Sequence, residues 1–302
     1  MNSGAVAELA VVTPSYLPDL DLCGDLNRSV MELTAREVTH HIIVPAKDLP
    51  AFRHLASART QIHDVREFLP RSFFKAPGVN VWVNAARPWP PVRGWITQQV
   101  VKLAIVARLD VQGALLLDSD SVLVRPVTLD SFRINGRIGM YRLPAGVDQS
   151  LPGHRLWHGS ARELLGLAPP PEGDLADYIC WPCLWEPAVV RGLIDHIEET
   201  TGMRWTTAVA RQLRFSEMML YGVYVDEVLG GKDATFTEMH GIVHSDEVAL
   251  DLPQVRELLN SATGNKLLVM LSAKSGISLA TRRQAIQEFL DQLSDASRTA
   301  EQ

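Results

Sequence analysis

The sequence predicts an α/β protein with a mostly parallel central sheet flanked by helices. Apolar runs that suit buried strands alternate with segments of helical spacing from residue 10 onward, which is the βαβ pattern of a parallel sheet. Three of these strands end in polar residues, and open parallel sheets bind ligands beyond the carboxyl ends of their strands. We therefore expect a ligand site at that edge of the sheet.

The first half supplies the strands and helices of this sheet. Residues 10–16 form an apolar strand whose exit carries Thr13, Pro14, Ser15 and Tyr16. A helix over 22–36, a second strand over 41–45 and Asp48 at the head of a further helix follow, and a third strand precedes Arg66. The three prolines between 88 and 91 predict a stiff break.

The helix predicted over 94–109 carries one polar stripe, formed by Trp95, Gln98, Gln99 and Lys102 at three- and four-residue steps. An ammonium group on a helix that leads into an acidic strand end could neutralise phosphate oxygens. The alternative is a lysine at the edge of the core that extends its charge to solvent.

Residues 114–117 predict a strand buried on both faces, and Asp118, Ser119 and Asp120 follow it. Two carboxylates two residues apart on a strand point to the same side, where they repel each other unless a cation lies between them. Mg²⁺ and Mn²⁺ favour one or two carboxylates together with substrate phosphates. The alternative is that both acids enter a solvated turn.

Composition limits the partners. The chain has 302 residues, 46% of them hydrophobic, and a net charge of −6 without a long basic stripe, which argues against nucleic acid. No signal peptide or integral membrane segment is predicted, so we expect a cytoplasmic protein, with homo-oligomerisation left open. Cys180 and Cys183 have CxxC spacing but no second Cys or His pair beside them, and we interpret them as apolar thiols on a buried segment.

The strand with a polar exit, the helix with Gln-Gln-x-x-Lys-Leu and the Asp-Ser-Asp strand end resemble a GT-A-fold nucleotide-sugar glycosyltransferase, more narrowly an uncharacterised bacterial branch of that superfamily. The resemblance covers roughly residues 11–127 and 215–272. It implies one GT-A-like domain over 1–302, with a donor half (8–127), an acceptor half (128–276) and a C-terminal helix and tail (277–302).

The resemblance also implies residue roles. Asp118 and Asp120 match the DxD motif, which binds Mn²⁺ or Mg²⁺ bridging the diphosphate of a UDP- or GDP-sugar. The base, ribose and phosphates would be bound by Thr13, Pro14, Ser15, Tyr16, Asp48, Gln98, Lys102, Ser119 and Lys274. One of His240 and His244 would be a third protein ligand of the metal.

The second half predicts the acceptor side. We expect a strand over 139–143, loop over 144–173, and helices over 186–201, 205–213 and 278–293 with a frayed polar tail. The aromatic residues of 178–185 could contact a sugar ring or fill the core. A late strand over 265–272 ends near Lys274.

Glu217 is the candidate general base. Ser216 is a suitable N-cap, Glu217 lies in the first turn of the next helix, and Tyr221 shares its face. In the glycosyltransferases that the chain resembles, an acid at this place contacts the acceptor and is the base of inverting members. The alternative is electrostatic capping only, and Asp177 is the reserve candidate for the base.

The sequence therefore predicts a metal-dependent glycosyltransferase that acts on a small or glycan acceptor, including a secondary metabolite with a thiol or thione. Two alternatives stay open: an Mg²⁺-dependent nucleotidyltransferase or phosphohydrolase using the same acids, and a nucleotide-binding scaffold without catalysis. A P-loop and a Rossmann fingerprint are both missing, which disfavours the common nucleotide folds.

Overall fold

The computed structural model describes residues 7–76, 81–85, 87–231, 233–262 and 266–300. Its helices are α1 (Leu20–Leu33), α2 (Leu49–Phe52), α3 (Gly94–Arg108), α4 (Pro152–Leu164), α5 (Pro187–Thr201), α6 (Trp205–Ala210), α7 (Glu217–Val223, continued by a π-helical turn at Tyr224–Val228), α8 (Leu252–Ser261) and α9 (Leu279–Ala300). Its strands are β1 (Leu9–Pro14), β2 (Thr39–Val44), β3 (Thr60–Asp64), β4 (Phe73–Lys75), β5 (Val81–Asn84), β6 (Arg87–Arg93), β7 (Gly113–Leu116), β8 (Ser121–Leu123), β9 (Arg133–Ile134), β10 (Arg137–Ile138), β11 (Met140–Tyr141), β12 (Leu143–Val147), β13 (Leu175–Asp177), β14 (Cys183–Trp185), β15 (Thr235–Phe236), β16 (Gly241–His244) and β17 (Leu268–Leu271).

The central sheet has five strands in the order β14-β7-β1-β2-β3, and all neighbours are parallel except β14. In the middle strand, Val11 lies between His40 of β2 and Leu115 of β7. Helices cover both faces, so β1 and β7 are buried and read as continuous apolar runs. The predicted α/β class with a mostly parallel sheet is confirmed, and so are the strands expected near residues 10–16, 41–45 and 114–117.

A second sheet, β16-β17-β8, begins where the central sheet ends. β8 follows β7 after four residues and pairs antiparallel with β17, with Ser121 opposite Met270. The apolar faces of α8 and α9 pack on this sheet through Val255, Leu259 and Ala285. The segment that contains both carboxylates predicted to bind the metal is therefore the junction between the two sheets.

Two predictions about irregular segments are wrong. Residues 144–173 are not all loop, because Pro152 begins α4. The buried face of α4 includes the polar residues His158 and Arg162, so the apolar spacing by which a helix is recognised is interrupted. The proline-rich segment is not a break but strand β6, which lies at the edge of the sheet β4-β5-β6, where missing backbone donors are tolerated.

Smaller differences concern element ends. The strand predicted over 139–143 is divided into β11 and β12, and α9 continues to Ala300 instead of fraying after residue 293. Asn265, at the start of the predicted late strand, lies outside the described residues. Within the described part of the chain, none of the helices has the length and apolarity needed to span a bilayer.

Candidate active site

Asp118 and Asp120 lie in a turn after β7. The strand ends at Leu116, and the Ser121 N–H donates to the Asp118 carbonyl at 3.1 Å. Strand alternation therefore does not apply to these residues, which corrects the expectation that they continue a strand. Each carboxylate has its own partners, although the two remain close enough to interact electrostatically.

Asp118 belongs to a charged triad. The Lys102 ammonium lies 3.1 Å from Asp118 Oδ1 and 3.1 Å from Glu217 Oε1, so one buried lysine joins the acid after β7 to the acid that begins α7. Trp181 Nε1 donates to the other oxygen of Asp118 at 3.0 Å. The polar stripe of α3 thus supplies a cation between both predicted functional acids.

Electrostatics keeps Lys102 and Asp118 charged. Burial alone would lower the pKa of Lys102, but the charges of Asp118 and Glu217 outweigh it and raise that pKa. Burial pushes the pKa of Asp118 upward, while the Lys102 charge and the hydrogen bonds from Trp181 and Lys102 bring it below its usual value. Lys102 is therefore a fixed ammonium, which argues against the alternative of a core-edge lysine with a solvated charge.

Asp120 has a different environment. Its Oδ2 accepts the Ala273 N–H at 2.7 Å, whereas its Oδ1 is buried and has no hydrogen-bond partner in the described part of the chain. Burial and the nearby charge of Asp118 raise the pKa of Asp120 to about 6. A buried carboxylate oxygen without a donor is costly, and a cation would satisfy it.

Asp19 is a third acid that the sequence analysis missed. Ser119 Oγ donates to Asp19 Oδ2 at 2.9 Å, and burial raises the pKa of Asp19. The ring of Tyr16 is 42% exposed, and its hydroxyl is close enough to Asp19 and Asp120 for their charges to raise its pKa further after burial. Asp19 lies in the helical turn after β1, directly before α1. An acidic residue is common at the start of a helix, so the sequence provided no reason to assign Asp19 to the site.

Two residues predicted to bind the nucleotide are engaged within the protein. The Thr13 hydroxyl is buried and lies 2.9 Å from His40 Nε2, whose other ring nitrogen contacts Asn27. Asp48 Oδ2 accepts the Leu17 N–H at 3.1 Å and so ties the β2 exit to the β1 exit. Ser15 is also buried, and Pro14 is the last residue of β1.

On α3 the structure selects Gln99 rather than Gln98. Gln99 is buried, and its Oε1 accepts the N–H of Glu217 at 2.9 Å, while Gln98 is exposed to solvent. The three-residue step from Gln99 to Lys102 was the signal that could have identified the pair, since both contact Glu217.

The remaining predicted site residues contact other groups. Asp177 contacts His154 at 3.2 Å and accepts the Ile179 N–H, and Tyr221 stacks on Trp185 with its hydroxyl accepting from Glu186 N–H. The Lys274 side chain is 78% exposed, and the backbone of the residue before it reaches Asp120 instead.

The two histidines predicted as metal ligands lie at opposite ends of β16. His240 stacks on Phe236, and its carbonyl accepts the Leu267 N–H beside Val124, away from Asp120. His244 pairs with Leu271, whose N–H donates to the Asp120 carbonyl at 3.3 Å, and its Nε2 lies 2.8 Å from the Val248 carbonyl. Among the described residues there is no group of three or more His, Cys, Asp or Glu arranged to hold a metal ion. A cation at Asp120 would have one or two carboxylate ligands, which suits Mg²⁺ or Mn²⁺ completed by phosphates.

Two residues missed by the sequence analysis support the site from outside. Trp181 lies between Cys180 and Cys183, both of which are buried free thiols as interpreted. Arg282 of α9 is buried and donates to the Leu271, Ser272 and Ile277 carbonyls, which holds the loop that carries Ala273.

Comparison with family models matches residues 4–264 to a family described as a family of unknown function, DUF6492. The chain belongs to this family. A search of curated proteins finds no match. Among solved structures, the crystal structure of mouse xyloside xylosyltransferase 1 in its apo form matches with a TM-score of 0.41 and 11% identity, over 91% of this chain and 100% of that chain. That name describes the mouse protein alone.

Proposed function

We propose that this DUF6492 protein is a metal-dependent glycosyltransferase that moves a sugar from a UDP- or GDP-sugar to a small or glycan acceptor. One observation carries the proposal. At the carboxyl edge of the parallel sheet, Asp120 presents a buried oxygen that has no partner among the described residues, beside a triad that leads to Glu217. This is the edge at which open α/β sheets bind nucleotides.

Asp120 and Asp118 are the residues that would hold Mn²⁺ or Mg²⁺. Both oxygens of Asp118 already accept one hydrogen bond, but each carboxylate oxygen has a further lone pair. The bound ion would stabilise the negative charge that develops on the leaving diphosphate. His240 and His244 have no part in this proposal.

The chain's own groups orient the two acids. Lys102 fixes Asp118 and Glu217 relative to each other, and Trp181 fixes the second oxygen of Asp118. Ala273 N–H orients Asp120, and the exposed ring of Tyr16 offers a stacking face to a nucleotide base. We assign base binding to Tyr16 in preference to Thr13, whose hydroxyl is occupied by His40.

Glu217 is the group we propose as general base of an inverting transfer. Its carboxylate contacts the same ammonium group as Asp118, so the acceptor-side acid and the donor-side acid are adjacent. Asp177 is the weaker candidate, because His154 and the Ile179 N–H already bond its oxygens. The acceptor remains open to glycans, polyols and small metabolites, including thiols and thiones.

The decisive experiment is calorimetric titration of Asp120→Asn with UDP and GDP, with and without Mn²⁺. We expect the variant to lose turnover and metal-dependent nucleotide binding together, because Asn removes the charge that balances the ion. Asp110→Asn is the matched control, since Asp110 is an exposed aspartate at the opposite end of β7.

Equal affinity for every nucleoside diphosphate with and without Mn²⁺ would refute the metal assignment. Product analysis separates the chemistries: release of UDP or GDP from a sugar nucleotide supports glycosyl transfer. Release of pyrophosphate or phosphate supports the nucleotidyltransferase or phosphohydrolase alternative.

A further inference from the structure

Charge is unevenly distributed along this chain. Residues 68–109 carry six lysines and arginines and residues 200–216 carry three, whereas neither segment contains any of the 35 aspartates and glutamates. The chain as a whole has a net charge of −6. These two segments are therefore the basic part of an acidic protein.

The two basic segments are adjacent in the fold. The first comprises β4, β5, β6 and α3, and the second comprises the end of α5, α6 and the loop before α7. Asn84 Nδ2 donates to Thr207 Oγ1 at 3.5 Å, which joins β5 to α6, and α3 packs against α6. Arg71, Arg93 and Arg211 are exposed to solvent, so positive charge is available at the surface of this region.

The sheet β4-β5-β6 has a buried face and an outer face. Trp82, in the central strand β5, is buried. Side chains alternate along a strand, and residues opposite each other share a face. Phe74, which is opposite Val83, and Arg93, which is opposite Val81, therefore lie on the outer face.

This region also exposes large apolar side chains. Trp89, on the edge strand β6, is 77% exposed, and Phe74 is 47% exposed. Ten large apolar side chains are exposed in the described part of the chain, and four of them lie in the two basic segments: Phe74, Trp89, Trp95 and Leu213. We call the outer face of β4-β5-β6, together with Arg71, Trp89 and Trp95, the docking face.

The docking face borders the candidate active site. Four residues separate the end of α3 from the start of β7, while Lys102 of α3 contacts Asp118 beyond the far end of β7. α3 therefore runs antiparallel to β7. Trp95 comes seven residues before Lys102, which places it about 10 Å further along the helix, beyond the carboxyl edge of the sheet.

We propose that the docking face binds peripherally to an anionic lipid surface. Tryptophan and other aromatic rings favour the headgroup region, and exposed arginines are attracted to lipid phosphates. A second copy of the chain fits this face less well, because it would bring the same arginines against each other. This inference does not depend on the proposed glycosyl transfer.

The test is vesicle flotation of the full chain in EDTA and without nucleotide, so that neither a bridging metal ion nor a substrate contributes. The probes are phosphatidylcholine vesicles with and without about 30% phosphatidylglycerol. We expect binding to the anionic vesicles to be at least about tenfold tighter than to the neutral ones. Binding should weaken as the salt concentration rises from about 0.1 to about 0.5 M, because salt screens the charges.

Two variants test the two parts of the docking face. Trp89→Ser should weaken binding to anionic vesicles by roughly fivefold, because less apolar surface enters the headgroup region. Arg71→Gln combined with Arg93→Gln should weaken it by roughly twentyfold and reduce the preference for anionic lipid. All three side chains are exposed, so the fold should be retained.

Matched controls change exposed residues outside the basic segments. Leu229→Ser removes an apolar side chain that is 51% exposed, and Arg137→Gln removes a surface arginine whose side chain is 70% exposed. Both should leave vesicle binding unchanged. An effect of these controls as large as that of the docking-face variants would overturn the proposal.

Other outcomes would also overturn it. These are no binding to anionic vesicles, equal binding to neutral and anionic vesicles, and unchanged binding in both docking-face variants. Tighter binding to single-stranded DNA than to anionic vesicles would identify a nucleic-acid surface instead. A dimer that Trp89→Ser dissociates, without vesicle binding, would show that the face joins two copies of the chain.

Discussion

At the scale of single residues, Lys102 determines how the candidate site is held together. The lysine is buried on α3, and both groups that neutralise it are carboxylates from distant parts of the chain. A buried ion pair contributes little net stability compared with apolar packing, but removal of one partner leaves the others uncompensated. Here removal of the single cation leaves two acids facing each other.

Lys102→Met should therefore lower the free energy of unfolding by about 3 kcal/mol, measured by urea denaturation. Glu217→Gln added to Lys102→Met should recover part of the loss, because it removes one of the two stranded charges. Lys47→Met is the control: Lys47 is 74% exposed and 3.9 Å from Asp48, so its change should stay within about 0.5 kcal/mol. A loss no larger than that control would contradict a functional ion triad.

Asp120 predicts a pH dependence of stability in the absence of divalent ions. The pKa of Asp120 in the folded protein, about 6, lies above the ordinary aspartate value of 3.8, so the folded state binds the proton more tightly. The resulting stabilisation is complete below about pH 4 and is lost as the pH rises through 6.

Asp120→Asn removes this titration. The variant should match the wild type near pH 4 and be more stable by roughly 2 kcal/mol at pH 7.5, as compared by urea midpoints in EDTA. Added Mn²⁺ should reduce the difference at pH 7.5 by stabilising the wild type alone. A difference that does not change with pH would show that Asp120 titrates normally.

At the scale of elements, α3 and α7 form one unit through side chains. Gln99 accepts the first N–H of α7, and the Lys102 ammonium pairs with the carboxylate of the same Glu217, so the start of α7 depends on two residues of α3. The N-cap Ser216 satisfies a different group, the Met219 N–H. A helix terminus has several unpaired N–H groups, and here two of them have side-chain partners.

Gln99→Ala should destabilise the fold by about 1–2 kcal/mol, because the buried Glu217 N–H loses its acceptor. Gln98→Ala, one residue away and exposed, is the natural comparison and should change stability by less than about 0.5 kcal/mol. Thermal unfolding of the two variants side by side checks this. Titration of Gln98→Ala with the sugar nucleotide tests the other prediction for this residue. A raised dissociation constant would support the assignment of Gln98 to the donor site.

The elements that sequence reasoning predicted were those with strong local patterns. The apolar runs of β1, β2 and β7 and the spacing of α1, α3 and α5 can be recognised from neighbouring residues alone. The pattern failed at α4, where polar residues are buried, and at β6, where prolines occupy an edge strand. The same distinction applies to the candidate site. Local sequence signatures mark Asp118, Asp120, Lys102 and Glu217. Tertiary contacts alone bring Asp19, Trp181 and Ala273 close to the acid pair.

At the scale of the whole molecule, the C-terminal helix supports the candidate site from beyond the region that matches the family model. That match ends at residue 264, but β17, Ala273 and Arg282 all follow it. Arg282 donates to three carbonyls of the loop after β17, and that loop supplies the N–H that orients Asp120. Asp120 is therefore oriented by a residue that lies 153 positions later in the chain.

Arg282→Met should weaken Mn²⁺-dependent nucleotide binding by at least about tenfold and destabilise the fold by roughly 2–4 kcal/mol, since several buried carbonyls lose their donor. Arg283→Met is the matched variant, because the neighbouring arginine is half exposed and pairs with Asp25 on the surface. It should leave nucleotide binding unchanged. Equal effects of the two substitutions would show that α9 contributes general stability only.

The arrangement of Asp118, Lys102 and Glu217 also has a consequence for descent. Replacement of the lysine alone leaves two carboxylates without a cation. A lineage that loses the lysine must therefore replace the acids at almost the same time. Homologues should accordingly keep all three residues or have replaced them as a set, even where the surrounding loops have diverged.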